Sequence, residues 1–201
     1  MQPETSADKT KAKNTRRTTC IWSTVARAGC LVPLLLLIAI LYPVFEHGRG
    51  VSNSFACLTN VKFLAIAGEM YAEDYNGRLP PAPQWMDATF PYVESYRVYS
   101  CPVVSENQPS QDAHSPVPKN AHFGYSFNPV YSCRKTGSFT NPTGAPLIYD
   151  STYLFWNAAG PLNTLPNPGR HHGGNNIGFV NGHVHWFSIS GSRKFIQPSK
   201  K

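Results

Sequence analysis

After Asp112 the chain carries one acidic side chain, Asp150. That scarcity leaves too little negative charge for tight calcium binding in the C-terminal half. Also missing are a nucleophile elbow, a P-loop and a Rossmann fingerprint, which removes the commonest hydrolase, nucleotidase and dehydrogenase readings. Asp150-Ser151 beside a histidine is a formal hydrolase pairing, but Asp150 is better read as ending a strand and accepting from local backbone amides. Long regular elements should also be few, because 18 prolines and 15 glycines among 201 residues impose many turns.

The folded body lacks an excess of basic charge as well. The net charge of +7 is concentrated at the ends: residues 1–29 balance to +4, residues 193–201 to +4, and everything between to −1. A nucleic-acid groove needs basic residues clustered on the body, so no nucleic-acid partner is expected.

Long apolar runs are absent with one exception. Residues 28–45, AGCLVPLLLLIAILYPVF, hold no charge. Eighteen helical residues rise roughly 27 Å, close to the ~30 Å of a hydrocarbon core. Nothing else in the chain could cover an element apolar on every side, so a membrane span outweighs a buried core helix. No small-residue cleavage pattern follows the run, against a secretory signal, and Cys30 precedes the run where a lipoprotein cysteine would follow it. Basic residues precede the span and Glu46 follows it, which puts the N-terminus in the cytoplasm and residues 46–201 across the membrane. Cys57, Cys101 and Cys133 would then meet an oxidising compartment. Three is odd, so at most one internal disulfide forms.

Beyond the span, Val51, Phe55, Leu58, Val61, Leu64, Ala65, Gly68, Tyr71 and Tyr75 recur every three or four positions and predict one helix face, stopped by Asn76-Gly77. LPPAPQ (79–84) predicts an extended linker. YRVYSC (96–101), HFGYSF (122–127), PLIYDSTY (146–153), NIGFV (176–180) and HVHWF (183–187) are strand candidates, separated by loops at 104–120 and 157–169. The fold class is α+β: a long N-terminal helix packed on a small antiparallel sheet with long loops. The expected divisions are a basic tail (1–27), a transmembrane helix (28–45), an outer amphipathic helix (46–78), a β domain (79–192) and a basic tail (193–201).

Four of the seven histidines, His171, His172, His183 and His185, fall within RHHGGNNIGFVNGHVHW (170–186). Asn181-Gly182 predicts a two-residue type I′ hairpin pairing Val180 with His183 and Gly178 with His185. Ile177, Phe179, Val184 and Trp186 would form the core face, with His183 and His185 outward. A transition metal would take His183 and His185 with His171 or His172 as third ligand. The segment has no acidic residue to serve as base or partner, so the packing reading outweighs the metal one. No cofactor is expected, with calcium or zinc as the residual alternative.

Three blocks together resemble the bacterial type IV pilins and type II secretion pseudopilins. They are the basic segment and apolar helix leading into CLTNVKFLAIAGEMYAEDYNGRLPP (57–81), PYVESYRVYSCP (91–102), and a C-terminal signature of His, nine residues, then Asp-Gly, which here runs from His171 to Asn181-Gly182. The resemblance implies a non-enzymatic subunit of a secretion or pilus machine. It implies a single-pass protein of the bacterial inner membrane, with lipid, other pilin-like subunits and secretion machinery as partners. The prepilin signal is degenerate: Gly29 fits the glycine before cleavage, but Cys30 stands where phenylalanine is usual and Leu34 where glutamate is. Without that carboxylate, processing and polymerisation should be poor. Some pseudopilins hold a structural calcium in this region; Asn181 in place of aspartate argues for weak binding here. The disulfide expected is Cys57–Cys101, since both cysteines fall in the resembling blocks, with Cys101–Cys133 as the rival.

Overall fold

The computed structural model describes residues 6–105 and 122–196, with side chains from residue 33 onward. The side chains of Gly29 and Cys30, most of the loop at 104–120 and the last residues of the basic tail lie outside the described residues. Two units are distinguished, Met1–Gly50 and Val51–Lys201.

Helix α1 is Ser6–Asp74. Among the described side chains of the first unit the large apolar ones are exposed: Leu34, Ile40 and Phe45 by 51%, 66% and 72%. This is the one helix among the described residues long and apolar enough to cross a membrane. In the second unit the predicted period is present, but the buried stripe is Cys57, Val61, Leu64, Ala65, Gly68 and Ala72. Phe55 and Tyr75, assigned to that stripe from spacing, are exposed instead. The helix stops where expected: Asn76 and Gly77 take positive φ, and the Gly77 amide reaches back to the Ala72 carbonyl at 2.7 Å.

The predicted linker is not fully extended. Ala82–Gln84 make a 3-10 turn leading into α2, Trp85–Val93. Trp85, Met86 and Thr89 are buried, with the Trp85 indole donating to the Ala158 carbonyl at 2.8 Å. YRVYSC is not a strand either, since Tyr96–Tyr99 form a 3-10 turn. Tyr96 stacks on Phe90 and Tyr99 packs edge-on to Trp85, so both rings face α2. A spacing of three keeps them on one side, whereas strand alternation would part them. A single turn, α3 (Pro102–Ser105), follows.

Four strands, β1 (Tyr125–Phe127), β2 (Pro146–Asp150), β3 (Gly174–Phe179) and β4 (Val184–Ser188), form an antiparallel sheet in chain order. The fold is therefore α+β, a long helix packed on a four-stranded sheet. Register aligns Phe127, Ile148, Gly178 and Val184 in one row. Gly178 lets α1 approach closely: a Cβ there would sit 3.0 Å from Val61 and 3.2 Å from Ala65. The opposite face buries Tyr149, Ile177 and Phe179 under Phe187 and Phe195. Phe195 belongs to α4 (Ile189–Ile196), so the chain is still structured where a basic tail was expected to begin.

The β3–β4 hairpin differs from its predicted form by one residue. Ile177 pairs with His185 and Gly178 with Val184. Only Gly182 has positive φ; its amide bonds to the Phe179 carbonyl, and the Phe179 amide to the His183 carbonyl. That is a three-residue loop, a type I turn closed by a left-handed glycine, in place of the I′ turn. A one-residue slip exchanges the faces of the whole strand. His183, His185 and Phe187 therefore share a face with Ile177 and Phe179, and His183 stacks flat on Phe179 at 4.2 Å. The apolar set expected on one face, Ile177, Phe179, Val184 and Trp186, is divided between two.

Candidate functional site

The I′ geometry occurs instead at the start of β3. His172 and Gly173 both have positive φ, and His171 and Gly174 exchange backbone hydrogen bonds at 3.0 and 3.1 Å across them. Gly174 must lack a side chain, because a Cβ would lie 2.4 Å from the Phe187 carbonyl and the Trp186 ring. This turn sends His171 inward, to 1% exposure, while His172 stays at the surface. Arg170 fixes the approach by donating to the carbonyls of Gly124 (3.0 Å) and Ser151 (2.6 Å).

His171 enters a pocket of buried polar groups against α1. Cys57 and Cys101 are both fully buried, their Sγ atoms 2.7 Å apart. Cys101 is set there by two contacts: its amide donates to the Phe123 carbonyl at 2.7 Å, and Asn60, one turn along α1 from Cys57, donates to the Ser100 carbonyl at 3.1 Å. His171 Nε2 lies 3.6 Å from Cys101 Sγ and 3.4 Å from Asp150 Oδ2. Asp150 stands at the end of β2 on the helix-facing side and accepts from the Asn176 amide at 2.6 Å, as a strand-end carboxyl should. Its other oxygen, Oδ1, and His171 Nδ1 are buried without a partner.

The electrostatics follow from this crowding. Burial works against a charge on His171, but hydrogen bonds to Asp150 and Cys101 outweigh it and lift the imidazole to about 9. The hydrogen bond shared with Cys57 holds Cys101 below the usual thiol range and pushes Cys57 above it, with His171 adding to the first effect.

The expected quartet of histidines does not assemble. His171 lies on the helix-facing side of the sheet and His183 and His185 on the other, because of the shifted register. Among the described residues, the group able to hold a metal is Cys57, Cys101 and His171, whose ligand atoms lie within 4.8 Å of one another. Sequence reasoning treated these cysteines and this histidine separately. The available signal was RHHGG, a positive-φ pair that turns the preceding histidine inward. Of the predicted disulfide pairs, Cys57 and Cys101 are brought together, while Cys133 is exposed in a separate turn. The cluster is not built as a Cys-His-Asp nucleophilic triad, since thiol and carboxyl approach the same ring nitrogen instead of opposite ones.

Elsewhere, Asn181 is exposed and hydrogen-bonds His183 at 2.5 Å, Gly182 closes the hairpin against Glu69, and Leu34 is exposed on α1. A pocket of about 240 Å³ borders the cluster, lined by Phe55, Leu58, His171, Asn176 and Trp186. No family model, curated protein or solved structure matches this chain.

Proposed function

We propose that the chain is a single-pass, pilin-like structural subunit, anchored by α1 in the bacterial inner membrane. Its N-terminus faces the cytoplasm and the unit Val51–Lys201 lies on the far side. The observation that carries this reading is the double use of α1. An apolar segment with exposed side chains is followed by a segment that supplies one face to the core of a sheet domain. The opposite face of that second segment keeps large apolar residues in solvent: Phe55, Phe63 and Met70 are 66%, 52% and 43% exposed at spacings of eight and seven. Such a stripe suits packing against the same helix of a neighbouring subunit, as the apolar segments pack within lipid. Secretion machinery would then meet the loops of the outer domain.

Fractionation and cross-linking test the reading. The chain should sediment with inner membranes, and Phe63→Cys in a Cys133→Ser background should give dimers across α1 under mild oxidation. A soluble chain, or no dimer at physiological expression, would overturn it. Processing is a separate arm. The Gly29–Cys30 bond should be cut poorly by a co-expressed prepilin peptidase and better after Leu34→Glu, and efficient cleavage of the unmodified chain would refute the degenerate signal.

A further inference from the structure

We propose that Cys57, Cys101, His171 and Asp150 form a zinc site inside the outer domain. Four elements far apart in sequence supply the donors: α1, the segment between the Tyr96–Tyr99 turn and α3, the loop before β3, and the end of β2. All four side chains are at most 1% exposed. Two sulfurs, one imidazole and one carboxylate make a tetrahedral set of the kind that zinc prefers.

Two pair distances already suit that geometry; the sulfurs must part and the Asp150 carboxylate must swing toward them, since the ligand atoms within 4.8 Å of one another are those of Cys57, Cys101 and His171. Zinc with bonds of about 2.3 Å to sulfur and 2.0–2.1 Å to nitrogen places S···N and N···O pairs roughly 3.3–3.6 Å apart and S···S pairs about 3.8 Å apart. Cys101 Sγ to His171 Nε2 is 3.6 Å and Asp150 Oδ2 to His171 Nε2 is 3.4 Å. The two sulfurs, at 2.7 Å, must part by about 1 Å, which rotation about Cα–Cβ supplies.

The polar atoms point the same way. His171 Nε2 faces both a sulfur and a carboxylate oxygen, and one N–H can serve both only as a weakened, bifurcated bond. A cation bound by the nitrogen, the sulfurs and the carboxylate satisfies them together. Asp150 Oδ1, buried and unpartnered, is available to the same ion. Asp150 and the backbone on both sides of His171 are also held in place, while His171 Nδ1 has no acceptor among the described residues. The Asn176 amide fixes Asp150, the Trp186 indole donates to the His171 carbonyl at 2.8 Å, and Arg170 clamps the His171 loop to two neighbouring carbonyls. A Cys57–Cys101 disulfide uses the sulfurs alone and leaves the orientation of His171 and the free Asp150 oxygen without a role. The proposal does not depend on the membrane reading.

The test uses the full chain in detergent micelles, reduced with a phosphine, stripped with chelator and titrated with Co²⁺. The expected result is one equivalent bound, with thiolate-to-cobalt charge-transfer absorption and the strong visible bands of a tetrahedral site, displaced mole for mole by Zn²⁺. Cys57→Ser and Cys101→Ser should each lower the charge-transfer band, His171→Ala should weaken binding by at least tenfold, and Cys133→Ser should change nothing. If the variants fail to fold, X-ray absorption on the unmodified zinc-loaded protein decides, with two sulfurs and two nitrogen or oxygen ligands expected. Three results would each overturn the site: no Co²⁺ bound by the folded, reduced protein; a coordination shell without sulfur; or a Cys57–Cys101 disulfide that the folded protein does not allow to be reduced.

Discussion

The indole of Trp186 donates to the backbone carbonyl of His171 at 2.8 Å, so the last strand holds the turn that directs His171 into the core. Trp186 is 40% exposed and its ring covers Gly174, so phenylalanine, which keeps most of the ring packing, is the substitution that tests the hydrogen bond. Trp186→Phe should cost about 1 kcal/mol, read as a lower urea midpoint at unchanged slope.

Helix α2 is capped from a distance. Its own preceding residue, Gln84, makes no side-chain cap, and Asn157 Oδ1 accepts from the Met86 amide at 2.8 Å and the Asp87 amide at 3.4 Å. Asn157 also has positive φ, so Asn157→Gly tests the cap without adding backbone strain. A loss of about 1 kcal/mol is expected, with Asn157→Ala worse. Equal stability of the glycine variant and the parent would show that the cap contributes nothing.

Burial, and then the charge of Glu73 one turn away, raise the pKa of Glu69. A carboxyl raised by folding favours its neutral form, so its contribution is best below the unfolded pKa of about 4.3 and declines as pH rises through the folded value. Glu69 keeps solvent contact, so the effect is small. Glu69→Gln should stabilise by a few tenths of a kcal/mol at pH 7 and by nothing at pH 3. A pH-independent difference would argue for lost packing against Gly182 instead.

Cysteine reactivity should divide by burial. In the folded, reduced chain Cys133 should be alkylated quickly, while Cys57 and Cys101 react only on unfolding. When metal-free protein is unfolded and refolded with glutathione disulfide, exchange should close Cys57–Cys101 and release two glutathione thiols. With the cysteines 44 positions apart, the chain-entropy model gives a gain of roughly 4 kcal/mol before strain is subtracted. A mapped Cys101–Cys133 peptide would defeat the pairing.

The sequence was most legible where a long period repeated. Two turns of α1 show Val61, Leu64, Ala65 and Gly68 plainly, and their partners on β2 and β3 read as strand candidates. Legibility failed where one residue decided a face. Asn181-Gly182 suits two turn types, and the choice between them moved His185 from beside Gly178 to beside Ile177. It failed also where a tertiary contact set local geometry: Phe90 and Trp85 impose a spacing of three on Tyr96 and Tyr99, and nothing within YRVYSC announces it. The Cys57–Cys101–His171 cluster was the hardest to foresee, because its members meet only once α1, the 3-10 turn and the β3 turn are all in place.

Val61 touches Gly178, a residue that leaves the ribosome roughly 120 positions later; at ~5–20 residues per second that is about 6–24 s. For that interval β3 is missing from the sheet: Leu147 on β2 is made earlier and can meet α1 at Gly68, while the Gly178 contact to Val61 and Ala65 waits, and Phe195 seals the far face last. The domain cannot close its core before β3 is made. A chain stopped before β3 lacks the last contacts of the α1 stripe and should be degraded faster than the full chain.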